Sequence, residues 1–208
     1  VPKREQYHHG DLKNALIQAG IDILARQGVH ALSLREVARQ AGVSHAAPYA
    51  HFSDKQALMA AISTEGYRVL YERVSAAVES HSDDPLAQLV EAAWAYADFA
   101  LSEPAHFRVT LSGIVEQETD YSAFVEISEK SFDLVVEIVE ACQQVGVLRA
   151  GPSDLMAATV WAQVHGCVVL ALEDRMSRGL LERYSLREIV LFALDQVTVV
   201  EIDSALFD

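Results

Sequence analysis

The stretch "SLREVARQAGVSHAAPYAHFSDKQAL" (residues 33–58) decides the fold. Ser33 followed by Glu36 is an S-x-x-E capping box, which opens a helix whose Leu34, Val37 and Ala38 face inward. Gly42 suits the stop of that helix and Ser44 the start of the next, which ends near Ala50. Ser53 and Gln56 repeat the capping pattern and open a long helix that runs to Ser80. Ala38, Gly42 and Val43 therefore carry helix-turn-helix spacing: a small residue for close approach, a glycine for the turn, an apolar residue to seat the second helix. In that geometry the second helix enters the DNA major groove with its N-terminal residues forward. The spacing by itself fits an ordinary helical hairpin equally well.

Pro48 is the anomaly in this stretch. With Ser44 as the cap, Pro48 is the fourth helical residue, and its missing N–H forfeits only the bond to the Ser44 carbonyl. A mid-helix proline costs about 3 kcal/mol or more, and a tightened first turn lowers that cost. In return its fixed φ stiffens a helix too short to be stable alone.

Outward from this stretch the helical period dominates and no hairpin is found. The first helix covers Asp11–Gln27, with Leu12, Leu16, Ala19 and Ile23 as its stripe. After the long helix, "HSDDP" (81–85) reads as a linker. Further helices are expected to about Ser102, over Ala105–Leu111, over Ser122–Gln144, from Ser153 or Asp154 to about Asp174, and from Leu186 to about Val200. The fold class is all-α, with about nine helices. A helix-turn-helix domain covers residues 1–55, and a larger helical domain covers 56–208, joined by the helix 53–80.

Net charge over the 208 residues is −14, which by itself opposes phosphate binding. The distribution reverses that reading. Residues 1–68 hold eight Lys/Arg against six Asp/Glu, a net +2, and residues 69–208 hold eight against 24, a net −16. A mildly basic head on an acidic body suggests two tasks. No 18-residue uncharged apolar run is read in the chain, so no membrane span is expected, and the N-terminus lacks a signal-peptide core, which points to the cytoplasm. Cys142 and Cys167 read as small buried hydrophobes rather than a disulfide or zinc framework. His8-His9 lacks neighbouring ligands, and no metal or cofactor is expected. The absence of a nucleophile elbow, P-loop or dinucleotide fingerprint argues against an enzyme.

Val37-Ala38, Ala41-Gly42-Val43-Ser44, Tyr49, His51-Phe52, Lys55 and Leu58 together resemble the DNA-binding core of TetR-family transcriptional regulators. The resemblance is close over residues 10–60 and looser beyond. "WAQVHG" (161–166) is similar to the W-x-x-x-H-G motif of one C-terminal subgroup. The resemblance implies that Ser44, Tyr49 and His51 contact phosphate, that Lys55 meets a phosphate beside free backbone amides at a helix start, and that Ser33 joins the interface. His45, Ala46 and Ala47 are placed for base edges, the imidazole for a purine and the methyls for thymine. Tyr49 fits either a phosphate contact or a packed ring. Ala50 departs from the Arg or Tyr common in the family. Lys3 and Arg4 on the arm before the first helix fit either a minor-groove contact or a solvated terminus.

The helix 153–174 and the last helix are apolar around most of their circumference, which requires cover on every side. A second copy of the chain is the economical cover, and the resemblance implies a four-helix-bundle dimer. Val164, Val168, Leu172, Ile189, Phe192, Ala193 and Val197 are the interface candidates. A two-fold dimer predicts a palindromic operator. Trp94, Phe99, Phe107, Phe124, Phe132, Trp161 and His165 are the candidates for a largely apolar effector pocket. His165 fits a core histidine as well as a pocket group. The expected function is a ligand-responsive, homodimeric repressor of double-stranded DNA, nucleoid-associated when bound. The alternative is a small-molecule-binding helical protein with a degenerate head.

Overall fold

The computed structural model describes residues 9–111, 113–200 and 202. Its α-helices are α1 (His9–Gln27), α2 (Leu34–Gln40), α3 (Lys55–Glu79), α4 (Pro85–Ser102), α5 (Pro104–Leu111), α6 (Ser122–Gln144), α7 (Ser153–Leu172), α8 (Arg178–Leu181) and α9 (Leu186–Asp195). Short 3-10 turns lie at Val29–Ala31, Ala47–Ala50 and Glu118–Asp120. Among the described residues there is no strand, only an isolated antiparallel bridge between Leu148 and Thr198.

The chain forms two compact units. The first holds Val1–Tyr67 and Pro104–Glu126, and the second holds Arg68–Glu103 and Ile127–Asp208. The division falls inside α3, beyond the expected boundary after residue 55, and α5 with its following loop belongs with the head. Sequence order hides this, because α5 is separated from α1–α3 by the whole of α4.

In the first unit Leu16, Ile23, Leu32, Val37, Phe52, Leu58, Ile62 and Val109 form one core. Burying each such side chain contributes about 1.5–3 kcal/mol. Where α5 crosses α3 the contact is too close for a side chain. A Cβ on Gly66 would meet Thr110 Oγ1 at 1.8 Å and Thr110 Cβ at 3.0 Å. The polar groups buried at this crossing are satisfied: Ser63 Oγ donates to the Val109 carbonyl (3.2 Å), His106 Nε2 to the Ile62 carbonyl (3.0 Å), and Thr110 Oγ1 to the His106 carbonyl (2.9 Å). Such bonds remove the desolvation cost of burying these groups.

In the second unit α7 packs against α9 and α4. Arg73 of α3 donates to Asp98, Ser102 and Glu103 and lies over the Phe99 ring. Arg187 of α9 pairs with Glu91 of α4 (2.9 Å) and lies over the Trp94 ring. The last helix stops at Asp195 rather than Val200. The β-branched run Val197–Val200 favours extended backbone, and Val199 N–H donates to the Val147 carbonyl (2.9 Å).

One sequence expectation is corrected. Residues 155–172 contain no Asp, Glu, Lys or Arg, and α7 is long and apolar enough to cross a membrane by length and composition, with 22% of that window buried. Thr159, Gln163, His165 and Gly166 interrupt the run without charging it.

Candidate nucleic-acid interface and effector region

The turn of the helix-turn-helix is a Schellman motif. Val43 N–H donates to the Ala38 carbonyl (3.0 Å) and Gly42 N–H to the Arg39 carbonyl (3.3 Å). Gly42 has φ +68°, and a Cβ there would meet nothing within 4 Å. The glycine is needed for its backbone conformation, not for space. Ala38 is fully buried beneath the turn.

The reading segment differs from the expected helix from Ser44. It is a 3-10 turn over Ala47–Ala50, without a side-chain cap, and Pro48 falls within its first two positions. The Ser44 carbonyl already accepts the Ala47 N–H (3.0 Å). Pro48 therefore forfeits no bond, since an N–H in the first turn has no intrahelical partner. The Pro48 carbonyl accepts from both His51 and Phe52 N–H groups at 2.9 Å, and the ring is buried. Proline here seats the reading edge on the core instead of breaking a helix.

Its neighbours are displayed. Ser44, His45, Ala46 and Ala50 are exposed, Ala47 is half-buried, and Tyr49 is 62% exposed. Most of the Tyr49 side chain lies in solvent. Phe52 is core, and His51 is half-buried, with its ring centroid 6.2 Å from that of Phe52. Ser33 is exposed, and its hydroxyl accepts the Glu36 N–H (3.1 Å). The reciprocal half of the expected capping box is replaced by a Glu36–Arg39 ion pair that holds the Glu36 carboxyl below its usual range.

The start of α3 differs by one position from the sequence reading. Asp54, not Ser53, caps it, accepting the Ala57 N–H at 2.9 Å. That bond, with the Ser53 hydroxyl, holds the Asp54 carboxyl below its usual range. Gln56, expected to complete a box, instead accepts the Glu116 N–H (3.1 Å). Lys55 Nζ donates to the Val29 carbonyl (2.9 Å). An ammonium has three donors, so this bond orients Lys55 and leaves donors for a phosphate. Sequence reasoning missed the Val29 contact, 26 residues away, and Asp54, whose signal was a second cap-forming residue after Ser53. Lys3, Arg4 and His8 lie outside the described residues.

The pocket candidates are split between the units. Phe107 and Phe124 belong to the head, buried at 2% and 4%; Phe124 packs edge-on to Tyr67 and against Val115. Phe99 is wholly buried core of the second unit, and Trp94 lies half-buried under Arg187. Trp161, His165 and Phe132 do come together. Trp161 is 5.9 Å from His165 and 6.4 Å from Phe132, ring centre to ring centre. His165 Nδ1 lies 2.6 Å from the hydroxyl of Tyr96, a residue outside the pocket candidates. Burial lowers the His165 pKa, so the ring is neutral at pH 7.

The interface candidates also divide. Val164 and Val168 are buried within the protomer, alongside Ala157 and Val160. Leu172, Ile189, Ala193 and Val197 are half-buried, and Phe192 is 69% exposed. The outward apolar face includes Leu155, at 65% exposure, and Leu170. A helix apolar all round gives no sequence signal for which stripe turns inward. Cys142 is buried, its thiol pushed up to about 12 mainly by burial, and burial also raises that of half-buried Cys167. Among the described residues no group of three or more His, Cys, Asp or Glu is placed to hold a metal ion.

Comparison with known proteins places these features. The family described as "Bacterial regulatory proteins, tetR family" matches residues 16–62, and "Tetracyclin repressor-like, C-terminal domain" matches residues 89–194. The HTH-type transcriptional regulator YobS of Bacillus subtilis (strain 168) is 23% identical over 111 residues, 53% of this chain and 57% of that protein. The match thus spans little more than half of that relative's length. A protein of unknown function from Rhodococcus sp. RHA1 is 34% identical in its solved structure, covering 93% of this chain and 96% of that one, with a TM-score of 0.79. A regulatory protein of the tetR family from Rhodococcus RHA1 shares the fold at 22% identity, covering 91% and 98% of the two chains, with a TM-score of 0.70. The Schellman-locked turn, the displayed reading edge and the helical body thus belong to a member of the TetR family of bacterial transcriptional regulators.

Proposed function

We propose that the chain is a homodimeric repressor that reads a two-fold symmetric operator and releases it when a small, largely apolar molecule occupies the body. The observation that carries this reading is the display of His45, Ala46 and Tyr49 on a turn fixed from below by buried Pro48 and Phe52. His45, Ala46 and Ala47 read base edges. Ser33, Ser44, Tyr49, His51 and Lys55 hold phosphates, with Lys3 and Arg4 assigned to the minor groove. Residues 1–55 do the reading, and residues 56–208 bind effector and partner in the cytoplasm. The exposed apolar side chains of α7 and α9 support dimerisation through a bundle of these helices, and "WAQVHG" supports the W-x-x-x-H-G subgroup. The effector acts by binding the DNA-competent and DNA-incompetent states with different affinity.

Electrophoretic mobility shift against the DNA upstream of the protein's own coding region tests this. Retention of an inverted repeat, relieved by effector, is expected; no retention of any such site at low salt overturns it. Ala50, exposed where the family resemblance implies an Arg or Tyr, favours a second reading, a ligand-binding protein with a degenerate head. A Tyr49→Phe/Lys55→Ala variant separates the two. Repression lost with ligand binding intact supports the first reading, and an unchanged phenotype supports the second.

A further inference from the structure

The helix that carries Lys55 begins at Lys55 itself. The N–H groups of a first turn have no intrahelical partners, so such a turn frays unless something holds it. Here three consecutive side chains hold it. Asp54 accepts the Ala57 N–H (2.9 Å) and caps the turn from within. Lys55 Nζ donates to the Val29 carbonyl (2.9 Å), which ties the turn to the connection between α1 and α2. Gln56 Oε1 accepts the Glu116 N–H (3.1 Å), which ties it to the loop between α5 and α6. Successive helical residues point about 100° apart. The ties from Lys55 and Gln56 therefore leave the helix in different directions and together oppose rotation of its first turn.

The loop end of the second tie is itself anchored. Val115, next to Glu116, is 6% exposed and packs with Ala60 and Phe124. Ala60 lies four residues after Gln56, on the same face of α3 one turn along. The loop thus meets that face twice, once by a hydrogen bond and once by an apolar contact. Ile114 packs against this cluster and also against the larger core of the head. Gln117, the residue after Glu116, has φ +49°. A left-handed backbone at a residue other than glycine costs free energy and persists where surrounding contacts over-determine it.

This loop is remote from the reading edge in sequence. The tetR-family match to the head covers residues 16–62, and residues 113–117 fall inside the segment matched to the C-terminal domain. In space, residues 104–126 belong to the same compact unit as the head.

We infer that the loop 113–117 is a working part of the DNA-binding head, and that Gln56 is a positioning residue that holds the Lys55 turn in place for a phosphate. A turn already tied on two flanks has little freedom left to lose when it meets DNA, so less of the binding free energy goes into ordering it. Lys55 keeps further donors for the phosphate beyond the one given to Val29. This inference rests on the repressor reading above.

Fluorescence anisotropy of the full chain on a duplex from upstream of its own coding region, repeated across a salt series, tests it. Every variant is compared below its melting temperature. Gln56→Leu removes the acceptor and keeps a strong helix former. The Gln56–Glu116 bond is open to water, so affinity is expected to fall roughly three- to fivefold. The slope of log affinity against log salt is expected to fall by roughly one to two for the two heads of a dimer, because each phosphate contact contributes about 0.9. In a Lys55→Ala background the same substitution is expected to cost less than about twofold, because the contact it positions is already gone. A general structural loss is instead additive with Lys55→Ala and leaves the slope alone. Val115→Ala, which loosens the anchor of the loop, is expected to reproduce the fall in slope. A Gln56→Leu affinity within about twofold of the wild type, an equal loss in the Lys55→Ala background, or a slope that Gln56→Leu or Val115→Ala leaves unchanged overturns the inference alone. A wild-type chain that binds no such duplex overturns the repressor reading and the inference with it.

Discussion

The head and the body break the ordinary rule of burial in opposite directions. The head buries polar groups, Ser63, His106 and Thr110, at the α3–α5 crossing, and satisfies each with a backbone carbonyl. The body leaves large apolar groups in water, with Phe192 and Leu155 at 69% and 65% exposure. Buried bonded polar groups fix one arrangement of helices, which suits an edge that must match a DNA groove. Large apolar side chains left exposed in one chain fit a surface that a partner covers. Each departure thus reports what its region must do.

The largest test of this contrast is in the body. Phe192→Asp places a charge on the outer face, and its expected effect is a dimer dissociation constant raised on the order of 100-fold, about 3 kcal/mol, with the protomer still folded. Sedimentation equilibrium reads it; an unchanged dimer places Phe192 outside the interface. In the head, Gly66→Ala forces α3 and α5 apart at Thr110, and a loss of about 1–3 kcal/mol in denaturant unfolding is expected. A change below about 0.5 kcal/mol contradicts the close crossing.

Smaller effects sharpen the roles within each region. Tyr49→Phe removes one exposed hydroxyl, so operator affinity is expected to fall about fivefold, about 1 kcal/mol, while unfolding is unchanged. A loss of stability instead of affinity returns Tyr49 to a packing role. The smallest concerns His165, whose folded pKa burial holds below the ordinary 6.5. Between that lowered value and 6.5 the unfolded chain binds the extra proton, so stability is full above pH 6.5 and declines as pH falls through this window. His165→Phe is expected to flatten that part of the pH–stability curve; an unaltered slope assigns it to other groups.

The sequence disclosed the helices and the turn well, and contacts between distant segments poorly. Gly42 and Val43 announced the Schellman turn because its requirements are local: a positive φ and an apolar residue beyond it. Pro48 was misplaced within its helix because the start of a 3-10 turn turns on one backbone bond, Ala47 to Ser44. α5 was assigned to the body because its partners on α1 and α3 lie more than 40 residues away, as the Ser63–Val109 bond shows with a separation of 46. Tyr96 escaped as the partner of His165 for the same reason, across 69 residues. The inner and outer stripes of α7 were indistinguishable because both are apolar.

The central claim is that two identical heads, displayed by a dimer, read DNA together. Selection of bound sequences from a pool of random duplexes by the purified dimer tests it most directly. The account predicts enrichment of an inverted repeat whose half-sites lie about one helical turn or a multiple of it apart, roughly 10 base pairs per turn, and loss of that enrichment in Tyr49→Phe/Lys55→Ala. Recovery of unenriched sequence by the folded dimer, or enrichment that the double variant leaves intact, would contradict it.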